Sequence, residues 1–237
     1  MKGVSELVSL VIIAAGIVAV SVTIFLYAYW NTQQANIVSE YSYTRSLLQF
    51  IQTSIEDILR GGVFERRYPG QNALFGSRAM SCVLTISLDF SNGTSENPPV
   101  KIENRVLRIG TRFPVVSSPR PMNMDRYRVI YDPKYFFEVY EYYENGWSYA
   151  DLIPSGILVK RYVVNTTKGA INKTEIGLIL LNTTHYGSAY IRARVEFDKN
   201  EVYTGVSHIV IADSCSGVVL EETGNITLAI YHLSVTT

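Results

Sequence analysis

Charge is missing from residues 7–30 of this chain, and neither sign prevails in the whole. Lys+Arg and Asp+Glu both number 21, so the formal net charge is zero. Without a basic excess there is no electrostatic footprint for nucleic acid, and no nucleic-acid partner is expected. Histidine is nearly absent. His185, His208 and His232 show no metal-ligand spacing and no HExxH pattern, so each reads as an ordinary strand or loop residue. There is no GxSxG, no Walker-type loop and no GxGxxG after a strand. Glu221-Glu222 and Arg66-Arg67 read as solvated charge pairs. These absences leave no support for an enzyme, a metal site or a small-molecule cofactor. Cysteine is limited to Cys82 and Cys215, far apart and outside any CxxC pattern. In a reducing compartment they would be two inert buried thiols. In an oxidising one they could close a loop worth about 4–5 kcal/mol on the chain-entropy account.

What the chain does have is apolar surface. It is 47% hydrophobic and 12% aromatic, with Tyr at 17 the commonest aromatic, which argues for a packed core and against disorder. Residues 7–30, LVSLVIIAAGIVAVSVTIFLYAYW, contain no charge and no proline. At helical rise this run spans roughly 36 Å, enough to cross a hydrocarbon layer of about 30 Å. Tyr27, Tyr29 and Trp30 gather at its far end, where amphipathic rings favour the interface. A secretory signal peptide has a shorter apolar region and a small-residue cleavage site, which does not follow here. Residues 31–60 contain no Gly or Pro, and Ile37, Tyr41, Leu48, Ile51, Ile55 and Ile58 recur at three- and four-residue steps, with Thr44 filling the gap. This predicts an amphipathic continuation with one face to bury, stopped at Gly61-Gly62 after Arg60. One helix over residues 1–62 is expected, with a leader of about three residues before the apolar segment 7–30 and the amphipathic segment 31–60.

The first six residues, Met1-Lys2-Gly3-Val4-Ser5-Glu6, followed by the apolar run, resemble the class III signal peptides of archaeal type IV pilins and archaellum subunits. The resemblance implies cleavage by a prepilin peptidase after Gly3, freeing Val4 as the N-terminus. It also implies that the apolar helices leave the membrane, aided by an assembly machinery, and pack with copies of the same chain into a filament core. Leu7, Leu10, Ile13, Ala14, Ile17, Val20 and Ile24 are the expected bundle core. Ala14, Ala15, Gly16 and Ala19 offer a small-residue face for close approach. Bacterial pilins carry their acidic residue fifth in the mature chain, whereas Glu6 would be third here. Its carboxylate has two readings: pairing with the α-amine of Val4, its own or a neighbour's, or a place at headgroup level near a helix N-terminus.

Beyond residue 62 the period changes. Short runs rich in Val, Ile, Tyr and Leu, bounded by Gly, Pro, Asn or Asp, predict about nine strands, among them Cys82–Phe90, Val100–Ile109, Ala189–Phe197 and Ile226–Val235. Asn145-Gly146, between two strand-like runs, is the strongest hairpin signal. The fold class is therefore α+β, a long N-terminal helix and then an all-β sandwich- or barrel-like domain over residues 63–237. The similar segments RYVVNTT and LILLNTT are too short to establish a repeat. Five N-x-S/T sequons, at Asn92, Asn165, Asn172, Asn182 and Asn225, stand where chance supplies roughly two, and all fall in the β region. N-linked glycans and an exported domain are expected from them, and export favours a Cys82–Cys215 disulfide. The cluster Tyr135, Tyr140, Tyr142, Tyr143 and Tyr149 admits two readings, a platform for carbohydrate or a partner, and plain alternation on a half-buried strand. In that cluster Tyr140, Tyr142 and Tyr143 are the candidate binding residues.

The expected function is a structural subunit of an extracellular type IV pilus-like filament on the cell surface, inserted in the membrane as precursor and serving adhesion or attachment. The alternative is a single-pass, membrane-anchored β-domain protein, an adhesin or one resembling the stator-like accessory proteins of the archaellum, that does not polymerise.

Overall fold

The computed structural model describes residues 2–68, 70–96, 98–167, 169–184 and 190–236, with side chains from residue 8 onward. Helix α1 (Lys2–Thr53) is followed after Ser54 by a short helix α2 (Ile55–Leu59). The break is slight, since Ser54 N–H still donates to the Phe50 carbonyl at 2.9 Å and Ile58 N–H to Ser54 at 3.0 Å. The predicted stop is observed. Gly61 takes φ +99°, Gly61 N–H bonds the Ile58 carbonyl and Gly62 N–H bonds the Asp57 carbonyl, the paired bonds that satisfy a helix C-terminus. Gly62 is equally constrained, because a Cβ there would sit 2.7 Å from the Asp57 oxygen.

The chain divides into two compact units, one ending at Glu40 and the second running Tyr41–Thr237. In the second, thirteen strands among the described residues form two sheets. They are β1 (Phe64–Arg67), β2 (Leu74–Ala79), β3 (Leu84–Phe90), β4 (Val100–Ile102), β5 (Arg105–Thr111), β6 (Arg128–Ile130), β7 (Glu138–Glu144), β8 (Trp147–Ile153), β9 (Gly156–Thr166), β10 (Gly169–Thr184), β11 (Tyr190–Val195), β12 (Glu201–Asp213) and β13 (Gly217–Thr236). The larger sheet has the order β4-β3-β12-β13-β10-β9-β6, with β11 also paired to β13 and β1 to β11. The smaller has the order β2-β5-β8-β7. Among the described residues both sheets are open, which decides for two layers over a closed barrel. β10–β13 and β6–β9 pair in parallel and the remaining pairs are antiparallel. Asn145 (φ 52°) and Gly146 (φ 83°) join β7 to β8 in the tight turn that their left-handed preference predicts.

Two apolar clusters hold this unit. One joins the helical stripe Tyr41, Leu47, Leu48, Ile51, Ile55 and Ile58 to Leu107, Ile109, Ala150 and Leu152 of the smaller sheet and to Ile179, Leu181, Leu233 and Val235 of the larger. The other takes alternate residues of the same strands, including Val106, Ile153, Leu178 and Ile230, with Ile86, Ile209 and Ile211. The α+β class read from the sequence is the class of the molecule. Val100–Ile109, expected as one strand, is two, because the chain leaves the larger sheet after β4 and enters the smaller at β5, with Glu103-Asn104 between them. Ala189, at the head of another predicted strand, lies outside the described residues.

Candidate functional site

The apolar half of α1 presents a different surface from its C-terminal half. Its most apolar window has a mean hydropathy of 2.7 and none of its residues is buried. Exposure runs all round the helix, for Leu10, Ile13, Ile17, Val20 and Ile24 on one set of positions and for Val11, Ile12, Val18, Phe25 and Leu26 on the others. Ala14 is exposed as well. The monomer therefore gives no reason to prefer the expected bundle-core residues over their neighbours. The side chains of Gly3, Val4, Glu6 and Leu7 lie outside the described residues. Thr23 and Thr32 turn their hydroxyls back to the carbonyls of Ala19 and Ala28 at 2.8 and 2.9 Å, which hides their polarity within the helix. Tyr27, Tyr29 and Trp30 are all more than half exposed. This helix is long and apolar enough to cross a membrane.

The tyrosine cluster is partly withdrawn from the surface. Tyr142 is fully buried, and its hydroxyl donates to Asp151 Oδ2 at 2.9 Å while accepting from Arg108. A ring held in this way has no face for a partner, so Tyr142 is corrected from a candidate binding residue to a core residue. Tyr140 is half-buried and donates to Glu138 at 2.7 Å, and burial first, then Glu138, pushes its hydroxyl up to about 12. Tyr143 keeps 38% exposure. The aromatic surface that remains on β8 is Trp147 and Tyr149, with parallel rings and centroids 6.1 Å apart. The Arg112 guanidinium lies over Trp147 and that of Arg108 over Tyr149.

Beneath these rings is a charge network that no motif announces. Asp151, wholly buried, receives Arg108 Nε at 2.8 Å and Arg78 Nε at 2.9 Å, and Arg78 continues to Asp125. Burial pulls the Arg108 and Arg78 guanidiniums down, but hydrogen bonds and charge from the carboxylates more than offset it and both end raised. Burial likewise pushes the Asp125 carboxyl up, yet hydrogen bonds from Arg78 and Ser81 hold it below its ordinary value. Every charge here has a partner of opposite sign, as a structural clamp requires, and no group is left as an acid, base or nucleophile.

Cys82 and Cys215 are joined in a disulfide with Cα atoms 5.5 Å apart, tying the start of β3 to the β12–β13 turn. Asp213 supports that turn by accepting from Cys215 N–H at 2.6 Å and from Tyr127 N–H at 3.1 Å. With both thiols consumed, Cys82, Asp213 and Cys215 are no metal-ligand set despite their proximity. An open cleft of about 480 Å³ beside the disulfide is lined by Arg120, Met122, Asp125 and Glu144, whose charges pair with one another.

The sequon asparagines Asn92, Asn165, Asn172, Asn182 and Asn225 are all exposed. Asn92 stands in the turn after β3 and accepts from Thr94 N–H at 3.0 Å and Thr94 Oγ1–H at 2.6 Å. All five are expected from the sequence at strand ends or loops, but only Asn165 and Asn182, near the ends of β9 and β10, and Asn92 fit, because Asn172 and Asn225 are inside β10 and β13. The larger sheet thus runs on past its core, which short apolar runs could not foretell. His208 is held between Asp89 and Glu221, His232 is near Glu201, and His185 lies outside the described residues. In comparisons with known proteins the chain matches no family model, no curated protein and no solved structure.

Proposed function

We propose that the chain is a structural subunit of an extracellular, type IV pilus-like filament, built by packing the apolar halves of α1 from many copies with the β units outside. The observation that carries this reading is the exposure of every described side chain in the most apolar window of α1. An apolar helix of this length cannot stay in water, where each Å² left uncovered forgoes about 25 cal/mol. Copies of the same helix can cover it on all sides. Inside lipid that drive vanishes, so close packing at Ala14, Ala15, Gly16 and Ala19 has to supply the association. The leader Lys2-Gly3-Val4, which resembles a prepilin peptidase site, supports release from the membrane. The deciding experiment is to shear cells and sequence the chain from the released fraction. Filaments containing a chain that begins at Val4 are expected. A chain left entirely in the membrane and absent from any filament rejects the reading.

A second reading, a membrane-anchored β-domain protein that never polymerises, is favoured by Tyr27, Tyr29 and Trp30. Their exposed rings at one end of the apolar run suit a lipid interface. It predicts quantitative recovery with the membrane after shearing and no filament.

A further inference from the structure

We propose that Asn165, Asn172 and Asn225 carry N-linked oligosaccharides that cover an exposed apolar ribbon made by β9 and β10, a role that Asn92 and Asn182 do not share. The proposal rests on the exported reading of the β unit, and it starts from a stretch of sheet that has no business being bare. From Val163 to Thr166 on β9 and from Gly169 to Asn172 on β10 the two strands pair only with each other, and from Lys173 onward β13 joins β10, starting at Asn225. Beyond Leu158, β9 has lost its other neighbour, β6, so its outer edge is unpaired among the described residues. Two-stranded ribbons of this kind are marginal in water, and an open edge is a template for association.

The ribbon and the strand stretch that leads into it also expose apolar side chains on both faces. Val163 is 59% exposed, Tyr162 43% and Ile171 40%. Strand register places Asn165 and Asn172 beside Val163, and Asn225 one strand beyond Lys173 on the face of Tyr162 and Ile171. On one face Val163 stands directly opposite Asn172, and Asn165 lies two residues along the same strand, so the two asparagines flank it. On the other face Val164 is opposite Ile171 and Tyr162 is opposite Lys173, which in turn is paired with Asn225 on β13. Paired residues are about 5 Å apart, so a first sugar on Asn172 reaches Val163, and Asn225, about 10 Å from Tyr162 across Lys173, reaches it with a second sugar. A pyranose offers C–H faces to Val163, Tyr162 and Ile171 and hydroxyls to water, which is the chemistry an exposed apolar ribbon needs. Asn182 is opposite the buried Ser234, and Asn92 stands in a turn held by Thr94.

The test uses the full-length protein from its own cells, in detergent. Peptide mass spectrometry reads glycan occupancy at all five asparagines, and limited trypsin treatment reads cleavage after Lys160, Arg161 and Lys173. Occupied Asn165, Asn172 and Asn225 are expected. The triple change Asn165→Gln, Asn172→Gln, Asn225→Gln should raise cleavage of the ribbon by about tenfold, because nicking follows the population of open strand. The pair Asn92→Gln, Asn182→Gln should leave it unchanged. Trimming the sugars from the folded wild-type glycoprotein should repeat the triple-variant result without involving folding. Labelling of intact cells from outside reads export separately. A chain labelled from outside but bare at these three positions, or equally resistant after trimming, overturns the proposal alone. A chain that no external reagent reaches overturns the exported reading beneath it.

Discussion

Helices α1 and α2 together carry two helical surfaces with opposite relations to their own chain. Between Val8 and Trp30 the large side chains are exposed around the whole circumference. From Tyr41 onward only one stripe is apolar, and Tyr41, Thr44, Leu47, Leu48, Ile51, Ile55 and Ile58 are each at most 2% exposed. Residues 41–59 have found their partners in the β sheets of the same molecule, whereas the large side chains of residues 8–30 stay exposed. The difference follows from width. A stripe can be covered by one sheet face, whereas a surface that is apolar all round needs neighbours on every side, and one small β unit cannot supply them. Secondary structure is thus shared along the helix while the source of its burial changes from within the chain to outside it.

The sharpest way to break the comparison is to place one carboxylate in each half. Leu48→Asp buries an unpaired charge in the main apolar cluster, at a cost beyond the ~5 kcal/mol at the lower end of domain stability. The β unit should not fold, read as loss of near-ultraviolet circular dichroism. Ile13→Asp should leave the melting temperature of the β unit unchanged and instead remove the chain from membrane and filament fractions, since Asp at the centre of a spanning helix costs about 2.5–3.5 kcal/mol. If Ile13→Asp lowers that melting temperature as Leu48→Asp does, the two halves are not independent.

The helical stripe was legible because its period is written in neighbouring residues, and Ile51, Ile55 and Ile58 needed no tertiary knowledge. Leu47 escaped because it lies beside the stripe rather than on it, yet it is 1% exposed. Strands β1 (FERR) and β2 (LFGSRA) carry too little apolar alternation to announce themselves, and their pairing with β11 and β5 is what makes them strands. The long ends of β10 and β13 escaped for a related reason. NKTE and EETGN continue the ladder as exposed or half-buried residues, where polarity says nothing about pairing, and GVVL is too short a run to announce a strand although Leu220 enters the core. The clamp around Asp151 was invisible because its arginines lie 43 and 73 residues away in sequence.

Damage confined to the β unit sharpens the comparison from the other side. Removing the disulfide with Cys82→Ser and Cys215→Ser opens a loop with a sequence separation of 133. The loss expected on chain entropy is about 5 kcal/mol, measured by denaturant unfolding. Asp151→Asn should cost about 3–5 kcal/mol, since it leaves the Arg78 and Arg108 guanidiniums facing each other without their shared counter-charge. Neither change should reduce the helical signal of residues 8–30 in detergent, and if either does, that segment draws stability from the β unit after all.

The smallest effect separates the halves by pH alone. Residues 8–30 hold no Asp, Glu, His, Lys or Arg. In the β unit, His208 bridges three strands, with Nδ1 at 3.1 Å from Asp89 on β3 and Nε2 at 3.2 Å from Glu221 on β13. The hydrogen bond to Asp89, then that to Glu221, raises the imidazole above its ordinary value of 6.5. A raised folded-state value means that folding favours the protonated ring. Its contribution is fully present below pH 6.5 and is lost as the pH rises through the folded-state value. The pair is exposed, so the change is small and shrinks in salt. His208→Gln should flatten the dependence of β-unit melting temperature on pH from 6.5 upward. It should leave the acid limb in place, because that limb belongs to carboxylates such as Asp125, held below their ordinary value, whose stabilisation is present above 3.8 and disappears as the pH falls through the folded-state value. An unaltered slope above 6.5 in the variant would show that the bridge contributes nothing to folding, leaving the two carboxylates to be held apart by strand pairing alone.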